Sequence, residues 1–265
     1  MRRIWWQSSR KLDNPGLETY NRYLLEHLES VKSEDTEIHI HGVEVDSFFA
    51  PYRAADLWTA GCPGGILHHL MQAYHSGYDG AAIGCFGDPG LFEAREMTDF
   101  PVVGILETSM HLASILGGKF SGIAVGTKEL PIIEERAHLY GMDKRFLPFI
   151  VNHYELSDLC SAFDRPGPVL EIFSKSAQIL VDAGAEVIIP ACGFLNLLLA
   201  RCGIREFHGA LILDGIAVAL KFTEMLIDLS RSIGLKVSRR LLFAAPSPEE
   251  KEAMLKGYGM FLQKV

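Results

Sequence analysis

Two cysteines occupy the positions where chemistry is easiest to place. Cys85 falls in GAAIGCFGDPG, residues 80–90, and Cys192 in AEVIIPACGF, residues 185–194. Each thiol follows a short apolar run that reads as a buried strand, and each is followed by tight, glycine-containing backbone. In a parallel α/β unit the residue after a strand lies beside the N-terminus of the next helix. Unpaired N–H groups and the helix dipole there favour an anion, so a cysteine can be held as thiolate. Two such thiols on opposed halves suit inversion of a carbon that bears an acidic hydrogen. One removes a proton from one face, the other delivers a proton to the opposite face, and backbone N–H groups hold the enolate-like oxygen. That reaction requires neither a redox cofactor nor a metal. The plainer reading is that both are small core residues, as free cysteines commonly are.

The neighbours of the two thiols differ. Gly193 directly follows Cys192 and lets backbone approach a ligand closely. Phe86 and Gly87 follow Cys85, and the Gly87–Gly90 turn carries Asp88, a charge that can orient a donor or raise the thiol pKa by repulsion. The cysteines are 107 positions apart, and so are Glu107 and Asp214, each of which follows a further apolar run. Strand, cysteine turn, helix, strand, acid and helix therefore recur, which predicts two related α/β halves facing each other. Glu107 and Asp214 read as helix caps ahead of catalytic groups.

The elements that must position the thiols follow from periodicity. Ile4–Trp6, Ile38–Ile40, Ala81–Gly84 and Val102–Leu106 read as strands in the first half; Ile123–Val125, Phe146–Ile150, Val187–Ile189 and Leu211–Leu213 do so in the second. Between them Leu17, Tyr20, Leu24, Leu28 and Val31 recur at helical spacing, as do Leu67, Leu70, Met71 and Tyr74. Further helices are expected over Val169–Ala183 and Ile216–Ile233. Such alternation predicts parallel sheets covered by helices, with sites at the carboxyl ends of strands. Of Trp5 and Trp6, one is expected in the core and one near the cleft mouth.

Composition excludes several classes. The 265 residues are 48% hydrophobic and 22% charged, with a net charge of −8. Nucleic acid is not an expected partner, because no cluster of Lys and Arg is present to bind phosphates. No apolar run approaches a membrane span, and the opening residues lack the apolar stretch of a secretion signal. Five irregularly spaced cysteines without a CxxC point to free thiols and a cytoplasmic location; Cys62, Cys160 and Cys202 read as structural. His39 and His41 alternate on a strand, and His68, His69 and His75 share a helix, but neither set has convincing partner ligands and HExxH is absent. His153 and His208, near strand ends, are candidates to reach the cleft. The glycine patches match no nucleotide-binding loop.

At these residues the chain resembles the aspartate/glutamate/hydantoin racemase superfamily, and within it the hydantoin racemase-like branch. The resemblance is carried by GCFGDPGLFEAREMTDFPVVGILETSMHLASILGGKFS, GAEVIIPACGF and ILDGIAVAL, in that order along the chain. It implies two pseudo-symmetric parallel-sheet α/β domains with the active site in the cleft between them. The first domain is expected to be discontinuous, 1–104 plus 213–265, and the second to span 105–212. The implied activity is cofactor-independent racemisation or epimerisation of an amino-acid-derived substrate, a hydantoin or an amino acid, with Cys85 and Cys192 as the acid/base pair. Gln7, Ser8 and Ser9 stand where hydantoin racemases carry an Asn-Pro-Asn-Thr-like turn, and are expected to bind substrate. Phe86, Gly87, Gly126, Thr127, Gly193 and Phe194 complete the expected binding set. No cofactor or metal is implied; the expected partner is a small molecule, with homo-oligomer formation left open. Two alternatives remain: maleate isomerase-like or arylmalonate decarboxylase-like chemistry in the same superfamily, and a binding protein with the same cleft and no chemistry.

Overall fold

The computed structural model describes residues 1–14, 16–44 and 60–263. In the first half β1 (Arg2–Gln7), β2 (Thr36–His41), β3 (Gly80–Ile83) and β4 (Val102–Gly104) pair in parallel in the order β2-β1-β3-β4. In the second, β5 (Phe120–Ala124), β6 (Ile150–Val151), β7 (Val187–Pro190) and β9 (Ala210–Ile212) repeat that order as β6-β5-β7-β9. A short β8 (Glu206–Phe207) adds an antiparallel edge to β9. The central strands β3 and β7 are buried at every residue, as expected of parallel strands covered on both faces. They begin 107 positions apart, the same offset as the two thiols.

The helices are α1 (Glu18–Val31), α2 (Ile66–His75), α3 (Leu91–Met97), α4 (Ile105–Leu116), α5 (Glu129–Leu139), α6 (Leu156–Ser161), α7 (Gly167–Asp182), α8 (Gly193–Arg201), α9 (Gly215–Ile233) and α10 (Pro248–Gly257). Tyr20, Leu24 and Leu28 of α1 form one buried stripe at i, i+4, i+8. Two helices tie the halves together. After β4, α4 leaves the first sheet and packs on β5 and β7 of the second; after β9, α9 leaves the second sheet and packs on β1, β3 and β4 of the first. These two helices also pack along each other. Ile227 of α9 presses so closely on β3 that a Cβ on Gly80 would lie 3.1 Å from it. One apolar core is therefore continuous from Ile4, Ala82 and Val103 to Ile123, Val187 and Ile189. A second cluster around Trp5, Ile66, Leu70 and Leu91 fills the other face of the first sheet. No helix among the described residues is long and apolar enough to cross a membrane.

Two expectations need correction. Trp5 and Trp6 point to opposite faces of β1, but helices cover both faces, so each ring is only 1% exposed and neither sits at a cleft mouth. The strand expected over Phe146–Ile150 reduces to one bridge from Phe146 to Phe120 and the two residues of β6. Pro148 lies between them and has no N–H for a ladder, while its carbonyl accepts the Ser121 hydroxyl at 2.9 Å. Beyond α9 the chain returns to α3. The Arg239 guanidinium donates to the carbonyls of Arg95 at 2.7 Å and Glu96 at 3.2 Å, and Lys251 donates to that of Met97 at 3.0 Å.

Candidate active site

Cys192 stands two residues past the end of β7 and is the N-cap of α8, with extended backbone at φ −151°. The N–H groups of Leu195 and Phe194 favour its thiolate without forming a close cap hydrogen bond. Burial outweighs them. The thiol is 9% exposed and is pushed up to about 12, so it is protonated in the resting protein.

Cys85 also lies two residues past its strand, but no helix begins there. Its carbonyl accepts the N–H of Asp88 at 3.0 Å, closing a turn, and α3 starts only at Leu91. Asp88 (φ 45°) and Gly90 (φ 72°) both take left-handed backbone to make this excursion. The expected helix N-terminus thus exists at one thiol and not at the other. The Asp88 carboxylate is engaged elsewhere: it accepts the N–H groups of Leu106 at 3.0 Å and Glu107 at 2.8 Å, and the Tyr140 hydroxyl at 2.8 Å. It therefore caps α4. A Cβ on Gly104 would lie 2.5 Å from this carboxyl, so glycine is required at the start of that helix. Burial raises the Asp88 carboxyl to about 6.

Tyr20 of the first half reaches the Cys192 turn of the second. Its ring stacks on Phe194 with centroids 4.1 Å apart, and its hydroxyl would lie 2.6 Å from a Cβ placed on Gly193. Glycine after Cys192 is what lets the phenol in. Burial raises the Tyr20 pKa, and negative charge on Cys192 and on Cys85 raises it further. Charge on Cys85 also reaches Cys192. Two thiols from two sheets therefore share one electrostatic environment with one phenol.

Two further groups act on Cys192. Glu129, the first residue of α5, accepts the Val125 N–H at 3.3 Å, and its charge raises the Cys192 thiol. Tyr154, raised to about 12 chiefly by burial, also feels Cys192; its hydroxyl is held by the Asn152 amide at 3.0 Å. Sequence reasoning misses Tyr20, Glu129 and Tyr154. Tyr20 fits the apolar stripe of α1 and reads as core, and only its polar tip among leucines distinguishes it.

The other expected residues separate. Gly126 and Thr127 form the turn between β5 and α5, where a Cβ on Gly126 would lie 3.4 Å from the Glu129 carboxylate. Gly87 is open, with only the Cys85 sulfur and Pro89 within reach of a Cβ, both at 3.9 Å. Phe86 is a core residue whose ring packs on the first turn of α9, 3.0 Å from a Cβ placed on Gly215. Ser9 is half-buried, and the Ser8 hydroxyl accepts the Arg10 N–H at 3.1 Å.

Gln7 is corrected as a substrate group. It is fully buried, its Oε1 accepts the Trp5 indole N–H at 2.8 Å, and its Nε2 donates to the carbonyls of Ser8 at 2.8 Å and Gly42 at 3.1 Å. Glu107 does not cap α4, whose N-cap is Gly104; it forms a bidentate ion pair with Arg95 of α3. Asp214 is a cap: its Oδ1 accepts from Ala217 N and from the Asn196 amide, both at 3.1 Å, and His27 lies 2.9 Å from its Oδ2. The two acids are consequently not equivalent, for the position matching Asp214 is Gly104.

His208 occupies the tight turn between β8 and β9, exposed at φ 48°. This is the amino end of β9, opposite the carboxyl end of β7 where Cys192 lies, so His208 is kept away from Cys192. His153 is exposed and Tyr154 takes the inward place. His41 stacks on Trp5, on the other face of the first sheet, and burial lowers it to about 4.

Two parallel sheets of one topology, with a cysteine two residues beyond the same central strand of each, have known relatives. Residues 20–223 match the family described as Asp/Glu/Hydantoin racemase. The chain belongs to the Asp/Glu/hydantoin racemase family. That membership makes it an isomerase, a racemase. A hydantoin racemase of Pseudomonas sp. (strain NS671) is 31% identical over 204 residues, which are 74% of this chain and 75% of that protein. Among solved structures, allantoin racemase from Klebsiella pneumoniae superposes with a TM-score of 0.73 at 24% identity, covering 93% of this chain and 94% of that one. Glutamate racemase RacE1 from Bacillus anthracis superposes at 0.60 with 13% identity, covering 100% and 96%. At those identities the two structures speak for the shared fold.

Proposed function

We propose that this racemase inverts a small amino-acid-derived carbon acid of the 5-substituted hydantoin class by proton exchange between Cys85 and Cys192. In this reading the cleft lies between a unit formed by 1–104 plus 213–265 and a unit formed by 105–212. The observation that carries the proposal is geometric: a cysteine lies two residues past the matching central strand of each sheet, and Tyr20 of the first half sits over the glycine that follows Cys192. The carbon between a ring nitrogen and a carbonyl in a hydantoin gives up its proton to form an enolate. When the Cys85 thiolate takes that proton, the protonated Cys192 returns one to the opposite face. The product has inverted configuration, and the charge has moved from Cys85 to Cys192. The N–H groups of Phe194 and Leu195 then stabilise the new thiolate at the start of α8. Reaction from the other enantiomer runs the same steps backwards, so no electron carrier is consumed. The hydantoin racemase of 31% identity supports this substrate class. A decarboxylase-like reading needs only one proton-donating thiol and leaves the second turn unexplained.

The test is incubation of single enantiomers of 5-substituted hydantoins in deuterium oxide against an enzyme-free control. Solvent deuterium is expected at the stereocentre of the product enantiomer before it enters the remaining substrate, as two separate acid/base groups require. No exchange above control with hydantoins, allantoin, aspartate or glutamate would overturn the proposal.

A further inference from the structure

Tyr20 is more than nine-tenths buried as a residue, at 7% exposed, while its hydroxyl keeps a sliver of accessible surface. A largely buried phenol ordinarily finds a hydrogen-bond partner, because leaving the bond unmade is costly. The other polar groups near the thiols follow that rule. The Tyr154 hydroxyl meets Asn152, the Ser8 hydroxyl accepts the Arg10 N–H, and the Asp88 carboxylate takes three donors. Among the described residues no hydrogen bond is made by the Tyr20 hydroxyl. Its place is nevertheless closely determined. The ring is stacked on Phe194, the tip lies over the glycine that follows Cys192, and both sulfurs act on it. A first-half helix thus delivers an unpartnered donor to the second-half thiol turn.

We propose that the Tyr20 hydroxyl is a further catalytic group, donating a hydrogen bond to the carbonyl oxygen beside the stereocentre as that oxygen takes on enolate charge. This rests on the two-thiol reading above and names what holds the oxygen while protons pass on either face. A donor aimed at developing charge acts mainly on the transition state, so it raises kcat more than it lowers KM. Burial and the neighbouring thiols keep the phenol protonated, which is the form that donates. Tyrosine is needed for both of its parts, since the ring packs on Phe194 and the hydroxyl reaches the substrate.

The experiment compares wild type with Tyr20→Phe, which retains the ring stack, using the same chiral hydantoin assay. Expected is a kcat lower by about 100-fold, with KM within about threefold and an unchanged melting temperature. A kcat within about twofold of wild type, or a loss confined to KM, overturns the assignment. Should Tyr20→Phe melt early, difluorotyrosine at position 20 decides, because it retains the hydroxyl and makes it more acidic. A donor role moves the alkaline loss of kcat to lower pH; an unmoved profile overturns the role. Wild type without turnover on any hydantoin would overturn both readings, whereas active wild type with an unaffected Tyr20→Phe overturns this one alone.

Discussion

In the second half of the molecule Cys192 occupies the N-cap position of α8, whereas in the first half five residues, Phe86 to Gly90, separate Cys85 from α3. The extra residues carry Asp88, and Asp88 reaches across to cap α4. The second half has no such detour, and there Asp214 caps α9 from the cap position itself. The outcomes nevertheless match. Through Asp88 the Cys85 turn is bonded to α4, the helix that crosses to the second sheet. Asn196 of α8 bonds the Asp214 carboxylate and the Ile216 N–H, which ties the Cys192 helix to α9, the helix that crosses to the first sheet. Each thiol is therefore fixed to the helix that joins its own half to the other. In the two-thiol reading proposed above, this coupling holds the two turns in fixed relation, and two different residue sets supply it.

Replacing either sulfur tests the comparison most severely. Cys85→Ser and Cys192→Ser are each expected to lower kcat/KM for racemisation by about 1,000-fold or more, with folding intact by circular dichroism. If one variant retains near-normal turnover, the halves are not a pair and single-thiol chemistry becomes the better reading.

The caps differ in the sign of their pH dependence. Burial lifts Asp88 from 3.8 to about 6, so its contribution to stability is fully present below the unfolded value and is lost as pH rises through the folded one. Urea unfolding of wild type and Asp88→Asn is expected to show the wild-type advantage shrinking by on the order of 3 kcal/mol between about pH 3 and pH 8. A gap that stays constant over that window would mean that the carboxyl does not titrate with the fold.

How much of this was legible in the sequence depends on how local the cause is. The strand periods, the free thiols and the doubled α/β plan follow from side-chain alternation and spacing, which are properties of neighbouring residues. The 107-residue offset located equivalent strands and thiols correctly, yet it failed for Glu107 and Asp214, because two residues, Leu213 and Asp214, intervene between β9 and α9 while α4 starts directly after β4. Asp88 and Gln7 look like site residues because both are polar and sit at strand ends. Only the fold shows that remote N–H groups and carbonyls engage them. Tyr20 shows the converse: a residue that fits a core stripe by spacing has its tip over Gly193, next to Cys192, through a contact 174 residues away in sequence, with Phe194.

Asp214 supplies the smallest and most discriminating contrast. Its carboxyl is also partly buried, which by itself raises the pKa, but the hydrogen bond and charge of His27, with Ala217 N and Asn196, more than reverse that and hold it below the ordinary value. Its contribution is therefore present above the unfolded value of 3.8 and is lost as pH falls through the lower folded one, opposite to Asp88. Asp214→Ala removes the α9 cap and is expected to cost about 1–2 kcal/mol at neutral pH. Urea titrations should show that cost shrinking towards acid pH, where wild type too loses the charged cap. A cost that instead grew as pH fell would place Asp214 in the same class as Asp88, and the two halves would then cap their crossing helices by one mechanism, not two.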